Sequence, residues 1–251
     1  VLDTRTGSVL ASETLGSPWR DMSIRFSGDD RFLLYSNKYD SNSRGDSQGH
    51  YKVGVIEVEP GSKSVELSYE DHCFWRVDDR VGMLSSNGRR VVLWDTEVTR
   101  IWDVGEGGRS ADPSTNPLNG MLIPKRTFGI SDASFSSDGS LVLTSGGDGS
   151  ARIWNVETGA ELLKLDHGRH VLRGRFSPDG SRVLTACAGG AVRLWDARNG
   201  DLIALLADGG GIEPQIAFTR DGARFISASG SGVVLSDAES CATLARVDGK
   251  L

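Results

Sequence analysis

"FSSDGSLVLTSGGDGSARIWNVETGAELLKL" (residues 135–165) is followed, after a short connection, by "FSPDGSRVLTACAGGAVRLWDARNGDLIALL" (residues 176–206). Setting Phe135 over Phe176 gives a shift of 41 residues. Under it the Asp-Gly pair, a Thr, the Trp and a second turn Gly align without a gap. Self-similarity at such a period marks a repeat architecture, in which each copy is one supersecondary unit that buries its apolar faces against its neighbours.

The template is an apolar strand into Phe-Ser-x-Asp-Gly, a second strand, a Gly-rich turn and a third strand ending in Trp-Asp. Further copies follow from it. "FTRDGARFISASGSGVVLSD" starts at Phe218 and has lost one turn residue and its Trp. "LSSNGRRVVLWDTEVTRIWD" starts at Leu84 and offers both Trp94-Asp95 and Trp102-Asp103. Counting from its Asn-Gly turn assigns Trp102 to the repeat position and Trp94 to the second strand. "IRFSGDDRFLLYS" opens a fifth copy at Phe26, and "KVGVIEVEPGSKSVEL" closes it with Ile56-Glu57 in place of Trp-Asp.

Asp-Gly or Asn-Gly between two β-rich runs is expected to supply the positive φ angles of a tight hairpin. In "ARIWNV" and "AVRLWDA" the side chains alternate, with Ile153, or Val192 and Leu194, on one face and Arg plus Trp on the other. A sheet with bulk on both faces needs neighbours on both sides, which radial stacking of small sheets supplies. "NVETGAELLKL" and "DARNGDLIALL" add a turn and an outer fourth strand, so each copy is a four-stranded blade.

"FSPDGSRVLTACAGGAVRLWD" resembles the WD-repeat (G-protein β-like) family, sharply over residues 131–207 and more loosely over nearly the whole chain. The resemblance implies an all-β fold, a β-propeller of four-stranded antiparallel blades. It also implies a hydrogen-bonded tetrad of His, Ser or Thr, Asp and Trp. By position one copy supplies Thr144, Asp148 and Trp154, with Arg126 where His would stand; the next supplies His167, Thr185 and Trp195, with Gly189 where Asp would stand. The expected organisation is five full blades, about residues 20–70, 72–128, 129–166, 167–208 and 211–248, plus a partial N-terminal blade at 1–14. "VLDTRTGSVLAS" reads as the end of a third strand and a fourth, and "CATLARV" already completes the last copy. The chain thus reads as truncated on its N-terminal side, with further blades or domains upstream in the same gene product.

A net charge of −6, from 28 Lys plus Arg against 34 Asp plus Glu, is scattered and forms no basic stripe for phosphates, so nucleic-acid binding is not expected. No apolar run approaches the ~18 residues of a membrane helix. Cys73, Cys187 and Cys241 are far apart and read as isolated thiols of a cytoplasmic protein. His167 and His170 in "DHGRH" sit on a loop, where their spacing does not suit a metal. No G-x-S-x-G elbow appears, and "GGDGS" and "ADGGG" lack the Lys-Ser/Thr ending of a phosphate loop. The Asp residues fall mostly in hairpin turns, where their side chains bond local backbone. No catalytic, metal or cofactor residue is assigned.

Loops remain. "NKYDSNSRGDSQGHY" (residues 37–51) reads as the longest connection between a second and a third strand, carrying Tyr39, Arg44, Asp46 and His50. "GSPWRD" and "DHCFWR", leading into first strands, add Trp19, Arg20, Phe74, Trp75 and Arg76 near the same rim. Aromatic and Arg side chains are frequent binding anchors. The insertion "GEGGRSADPSTNPLNG" (residues 105–120) reads as a loop on the other rim. The resemblance implies a non-enzymatic scaffold for protein partners. The rival is a propeller that acts on or binds a small molecule in its channel; that would need inward His, Glu or Arg at equivalent repeat positions, and none is read here.

Overall fold

The runs flanking the hairpin Asp-Gly pairs are four to six residues long and rich in Val, Leu, Ile and Thr, too short for a stable helix and suited to a pleated, half-buried surface. They are strands. The computed structural model describes residues 21–27, 30–40, 49–58, 64–70, 82–94, 99–103, 129–207, 214–229 and 232–249. The chain divides into two compact units, Val1–Ile123 and Pro124–Leu251.

In the first unit, β1 (Asp21–Phe26), β2 (Phe32–Asp40), β3 (Gly49–Glu57) and β4 (Ser64–Glu70) form one antiparallel sheet in chain order. The strands β5 (Gly82–Leu84), β6 (Arg90–Trp94) and β7 (Thr99–Asp103) form a second. Phe32, Leu34, Val53 and Val55 of the one bury against Leu84, Val91, Leu93 and Trp102 of the other. Trp94 ends the second strand of its sheet and Trp102 lies on the third, as counting from the Asn-Gly turn requires.

The second unit holds three four-stranded antiparallel sheets, each again in chain order. The first is β8 (Ile130–Phe135), β9 (Leu141–Gly146), β10 (Ser150–Asn155) and β11 (Glu161–Asp166). The second is β12 (Val171–Phe176), β13 (Arg182–Cys187), β14 (Val192–Asp196) and β15 (Leu202–Ala207). The third is β16 (Gln215–Phe218), β17 (Arg224–Ser229), β18 (Gly232–Asp237) and β19 (Thr243–Asp248). Among the described residues the molecule is all-β, with four four-stranded sheets and one three-stranded sheet.

Alternation along the strands gives each sheet two apolar faces. Leu143, Ile153 and Leu165 of the first sheet pack against Phe176, Val183 and Trp195 of the second. The opposite face of that second sheet, Leu184, Val192 and Leu194, packs against Ile216 and Phe225 of the third. The Trp-bearing face of one blade thus meets the Ile/Leu-bearing face of the preceding blade. At roughly 25 cal/mol per Å² of buried apolar area, these seams carry most of the stability. The approach is close: a Cβ on Gly174 of β12 would lie 2.6 Å from Leu143 Cδ2, so this strand needs glycine to lie against β9.

The Asp-Gly turns differ from the sequence expectation in one respect. Only the glycine takes positive φ, 72° at Gly139, Gly180 and Gly222 and 66° at Gly88. The preceding Asp or Asn works with its side chain instead. The Leu141 amide donates to Ser136 Oγ (3.0 Å), Ser136 Oγ donates to Asp138 Oδ1 (2.6 Å), and the Ser140 amide donates to the same oxygen (3.0 Å). Ser177 with Asp179, Thr219 with Asp221 and Ser85 with Asn87 repeat the arrangement. Hydroxyl and amide donors hold these carboxyls below the usual range, the Asp179 carboxyl at about 2 through Ser177 and Ser181.

Candidate functional site

The side chains that the resemblance singles out sit on adjacent strands of single blades. Trp195 on β14 pairs in register with Val183, which brings Thr185, two residues along β13, under the indole. Trp195 Nε1 donates to Thr185 Oγ1 (2.8 Å), and Thr185 Oγ1 lies 2.7 Å from His167 Nε2. His167 Nδ1 lies 2.8 Å from the Leu165 carbonyl oxygen. A carbonyl only accepts, so Nδ1 carries the proton and Nε2 accepts from the threonine. The result is one directed chain, from indole N–H through hydroxyl and imidazole to a backbone oxygen. The imidazole also packs 4.9 Å from the Trp195 ring. Burial, with the Arg193 charge adding to it, lowers the His167 pKa from 6.5 to about 4, so the ring is a neutral structural acceptor at neutral pH.

The preceding blade keeps half of this chain. Trp154 Nε1 donates to Thr144 Oγ1 (2.8 Å). Asp148 is turned to its own blade: its carboxylate accepts from the Ser150 amide (3.1 Å) and hydroxyl (2.7 Å) and pairs with Arg152 Nη2 (2.7 Å). Burial pushes the Asp148 carboxyl up, but the hydrogen bonds from Arg152 and Ser150 outweigh it and hold the group below its ordinary value. Arg152 also reaches Glu161 Oε2 at 3.3 Å. That pairing follows from the β10–β11 register and had no signal in the repeat itself.

The turn β13–β14 shows what the loss of Asp at Gly189 does. Gly189 and Gly190 take φ of 91° and 88°, and a Cβ on Gly189 would lie 3.1 Å from Arg169 Nη1. The Arg169 side chain thus stands beside the position where the resemblance expects an Asp.

These turns and the connection between the blades are tied into one rim. The His167 amide donates to the Gly149 carbonyl (2.8 Å), the Gly147 amide to the Gly129 carbonyl (3.1 Å) and the Ala188 amide to the His170 carbonyl (2.8 Å). His170 is exposed, and its Nε2 lies 2.5 Å from Ser131 Oγ. Gly168 and Arg169 are exposed beside it.

The position three residues before the closing aromatic of the first strand carries Asp132, Arg173 and Gln215 in β8, β12 and β16, a recurring polar position that the sequence reading did not single out. These side chains join blades to one another. Asp132 Oδ2 accepts from the Gly174 amide (3.2 Å) and pairs with Arg175 Nη1 (2.5 Å). Gln215 Oε1 accepts from Arg173 Nη2 (3.0 Å) in the amide orientation that satisfies both groups.

The connection 37–51 is also shorter than its composition suggests. β2 runs to Asp40 and β3 begins at Gly49, and Tyr39 and His50 are register partners in the ladder between them. Trp19, Arg20, Arg44, Asp46, Phe74, Trp75 and Arg76 lie outside the described residues, as do Arg126, Cys73 and the insertion 105–120. Cys187 and Cys241 are free thiols, and burial pushes the Cys187 thiol up. Among the described residues no helix is long and apolar enough to cross a membrane.

Comparison with known families agrees with this geometry. Residues 122–155 and 161–196 match the family model described as WD domain, G-beta repeat. No curated protein matches the chain. The matched stretches contain both Trp–Thr pairs and His167, and the propeller-like, all-β sheets continue beyond them with the same strand order. The chain therefore carries WD repeats of the G-beta type at 122–155 and 161–196, consistent with the WD-repeat family that its sequence resembles.

Proposed function

We propose that this chain is a non-enzymatic scaffold that presents a propeller rim to protein partners, as a module of a longer, cytoplasmic regulatory protein. Repeats of this family generally mediate protein–protein interaction. The organisation we propose is five full blades, about residues 20–70, 72–128, 129–166, 167–208 and 211–248, with a partial blade at 1–14.

The supporting observation is the rim itself. Turns β9–β10 and β13–β14 and the connection 167–170 are fastened by cross-connection backbone hydrogen bonds, while Arg169 and His170 stay exposed on top of them. A surface ordered in advance loses little conformational freedom when a partner docks. Trp19, Arg20, Tyr39, Arg44, Asp46, His50, Phe74, Trp75 and Arg76 are the further partner-binding candidates that the sequence offers.

Proximity crosslinking of the intact chain, followed by identification of the crosslinked partner, tests this. Arg169→Glu with His170→Ala should abolish recovery of the partner. Arg198→Glu with Asn199→Ala, on the β14–β15 turn at the other end of the same sheet, should leave recovery intact. Equal recovery with both variants, or a large thermal shift of the wild type with a metal or organic cofactor, would reject the reading.

A further inference from the structure

Among the described residues the outermost strand of each blade in the second unit pairs on one side only: β11 with β10, β15 with β14 and β19 with β18. An edge strand presents a row of backbone donors and acceptors that template pairing with another strand, and charged side chains are the usual defence. Two of the three edges carry that defence. β11, "ELLKLD", has Glu161, Lys164 and Asp166, with Lys164 paired to Asp166 at 2.6 Å. β19, "TLARVD", has Arg246 paired to Asp248.

β15 is "LIALLA", with no charge, Pro or Gly at any position. Leu202, Ile203 and Leu205 are 50%, 42% and 53% exposed, while Ala204 and Leu206 turn toward the third sheet. We propose that β15 is a self-association edge, on which a second copy of this chain pairs its own β15 antiparallel and extends the blade across a two-fold axis.

The choice of occupant follows from what each strand would set opposite itself. A two-fold normal to the sheet keeps each residue on its own face, so the axis passes at a residue: about Leu205, Ile203 faces Ala207, Ala204 faces Leu206 and Leu205 faces its own copy, and every opposed pair is apolar. The same operation on β11, about Lys164, sets Lys164 opposite its own copy, and like charges directly opposed are destabilising. A two-fold pairing is isologous and closes at the dimer, with no growth into a filament. A six-residue edge covers less than the ~1,000 Å² of a stable interface, so the dimer is weak and concentration-dependent.

Sedimentation velocity of the intact chain over a hundredfold concentration series tests it, with far-UV circular dichroism of each variant as the check on folding. The wild type should shift from monomer to dimer. Ile203→Lys and Leu205→Lys, both at exposed side chains, should hold it monomeric at every concentration, and Leu244→Lys on β19 should not. Hydrogen exchange gives a reading without substitution: amides in 202–207 should slow as concentration rises, and those in 243–248 should not. A monomer throughout, a dimer untouched by the β15 lysines, or equal protection of both edges would overturn the proposal.

Discussion

Trp195 and Trp102 close the third strands of two sheets, and both are almost wholly buried, yet only one indole N–H has a partner. Trp195 finds Thr185 because a threonine stands two residues beyond its register partner Val183. Trp102 pairs with Val91, and two residues beyond stands Leu93, which packs into the core and offers no acceptor. Trp102 Nε1 accordingly has no hydrogen-bond partner among the described residues. The same position is thus held in two ways, by packing plus a polar chain in one blade and by packing alone in the other. Burial is common to both, so burial is what the repeat requires, and the chain through His167 refines it.

Truncating the buried ring should therefore produce the largest effect. Trp195→Ala is expected to cost ~3–5 kcal/mol, in the range for large aromatic truncations in a core. Thr185→Ala strands the Trp195 donor and the His167 acceptor but keeps the packing, and should cost ~1–3 kcal/mol. Urea denaturation midpoints at constant m-value compare them, and equal shifts would break the ranking.

The polar chain also makes one blade sensitive to acid. His167 titrates at about 4 in the folded protein against 6.5 when unfolded, so between those values the unfolded chain binds more protons and stability rises with pH. Stability from this group is complete above pH 6.5 and falls as pH drops toward 4, by about 3 kcal/mol at the limit. The turn carboxylates do not contribute to that window. Asp138, Asp179 and Asp221 are held below their ordinary 3.8, so their contribution is present above that value and lost only as pH falls further, through about 2 for Asp179. Thermal melts from pH 7 to 4 should slope downward in the wild type and flatten in His167→Asn. A slope unchanged by that substitution would assign the acid sensitivity elsewhere.

Substituting phenylalanine separates the two tryptophans more finely. Trp195→Phe leaves the Thr185 hydroxyl without its donor, whereas Trp102→Phe removes an N–H that already lacked an acceptor. The first should cost more than the second by about 1 kcal/mol, the usual net worth of such a bond. Equal losses would mean that Trp102 Nε1 finds a partner in solution.

How much of this was legible follows from where the information lies. The Trp–Thr pairs and the assignment of Trp102 over Trp94 could be read because one strand order and one spacing recur, and the spacing sets the register. The bridges Asp132 to Arg175 and Arg152 to Glu161 could not, since each depends on which neighbour a side chain meets across a seam or ladder, and the repeat says nothing of that. The Arg169 side chain beside Gly189 is invisible for a related reason: the absence of Asp shows when the copies are aligned, but the side chain beside that position comes from a different loop. The role of the turn Asp as a backbone acceptor was readable in kind, while the restriction of positive φ to the glycine needed the backbone geometry.

That restriction exposes two small departures. Among the described residues the only non-glycine positive φ values are at Asp30 (60°) and Cys241 (59°), and each stands where other copies place glycine. Asp30 occupies the Gly139 position of the first hairpin turn, and Cys241 the Gly159 and Gly200 position of the turn between third and fourth strands. A left-handed conformation costs an ordinary L-residue ~1–2 kcal/mol, less for Asp, whose short polar side chain tolerates the region. Glycine removes that strain but adds freedom to the unfolded chain worth ~0.4–1 kcal/mol. Cys241→Gly should therefore stabilise slightly, by a few tenths to ~1 kcal/mol, and Asp30→Gly should be close to neutral. If Asp30→Gly stabilised more than Cys241→Gly, then contacts of the Cys241 side chain, and not its backbone, would be setting the conformation of that turn.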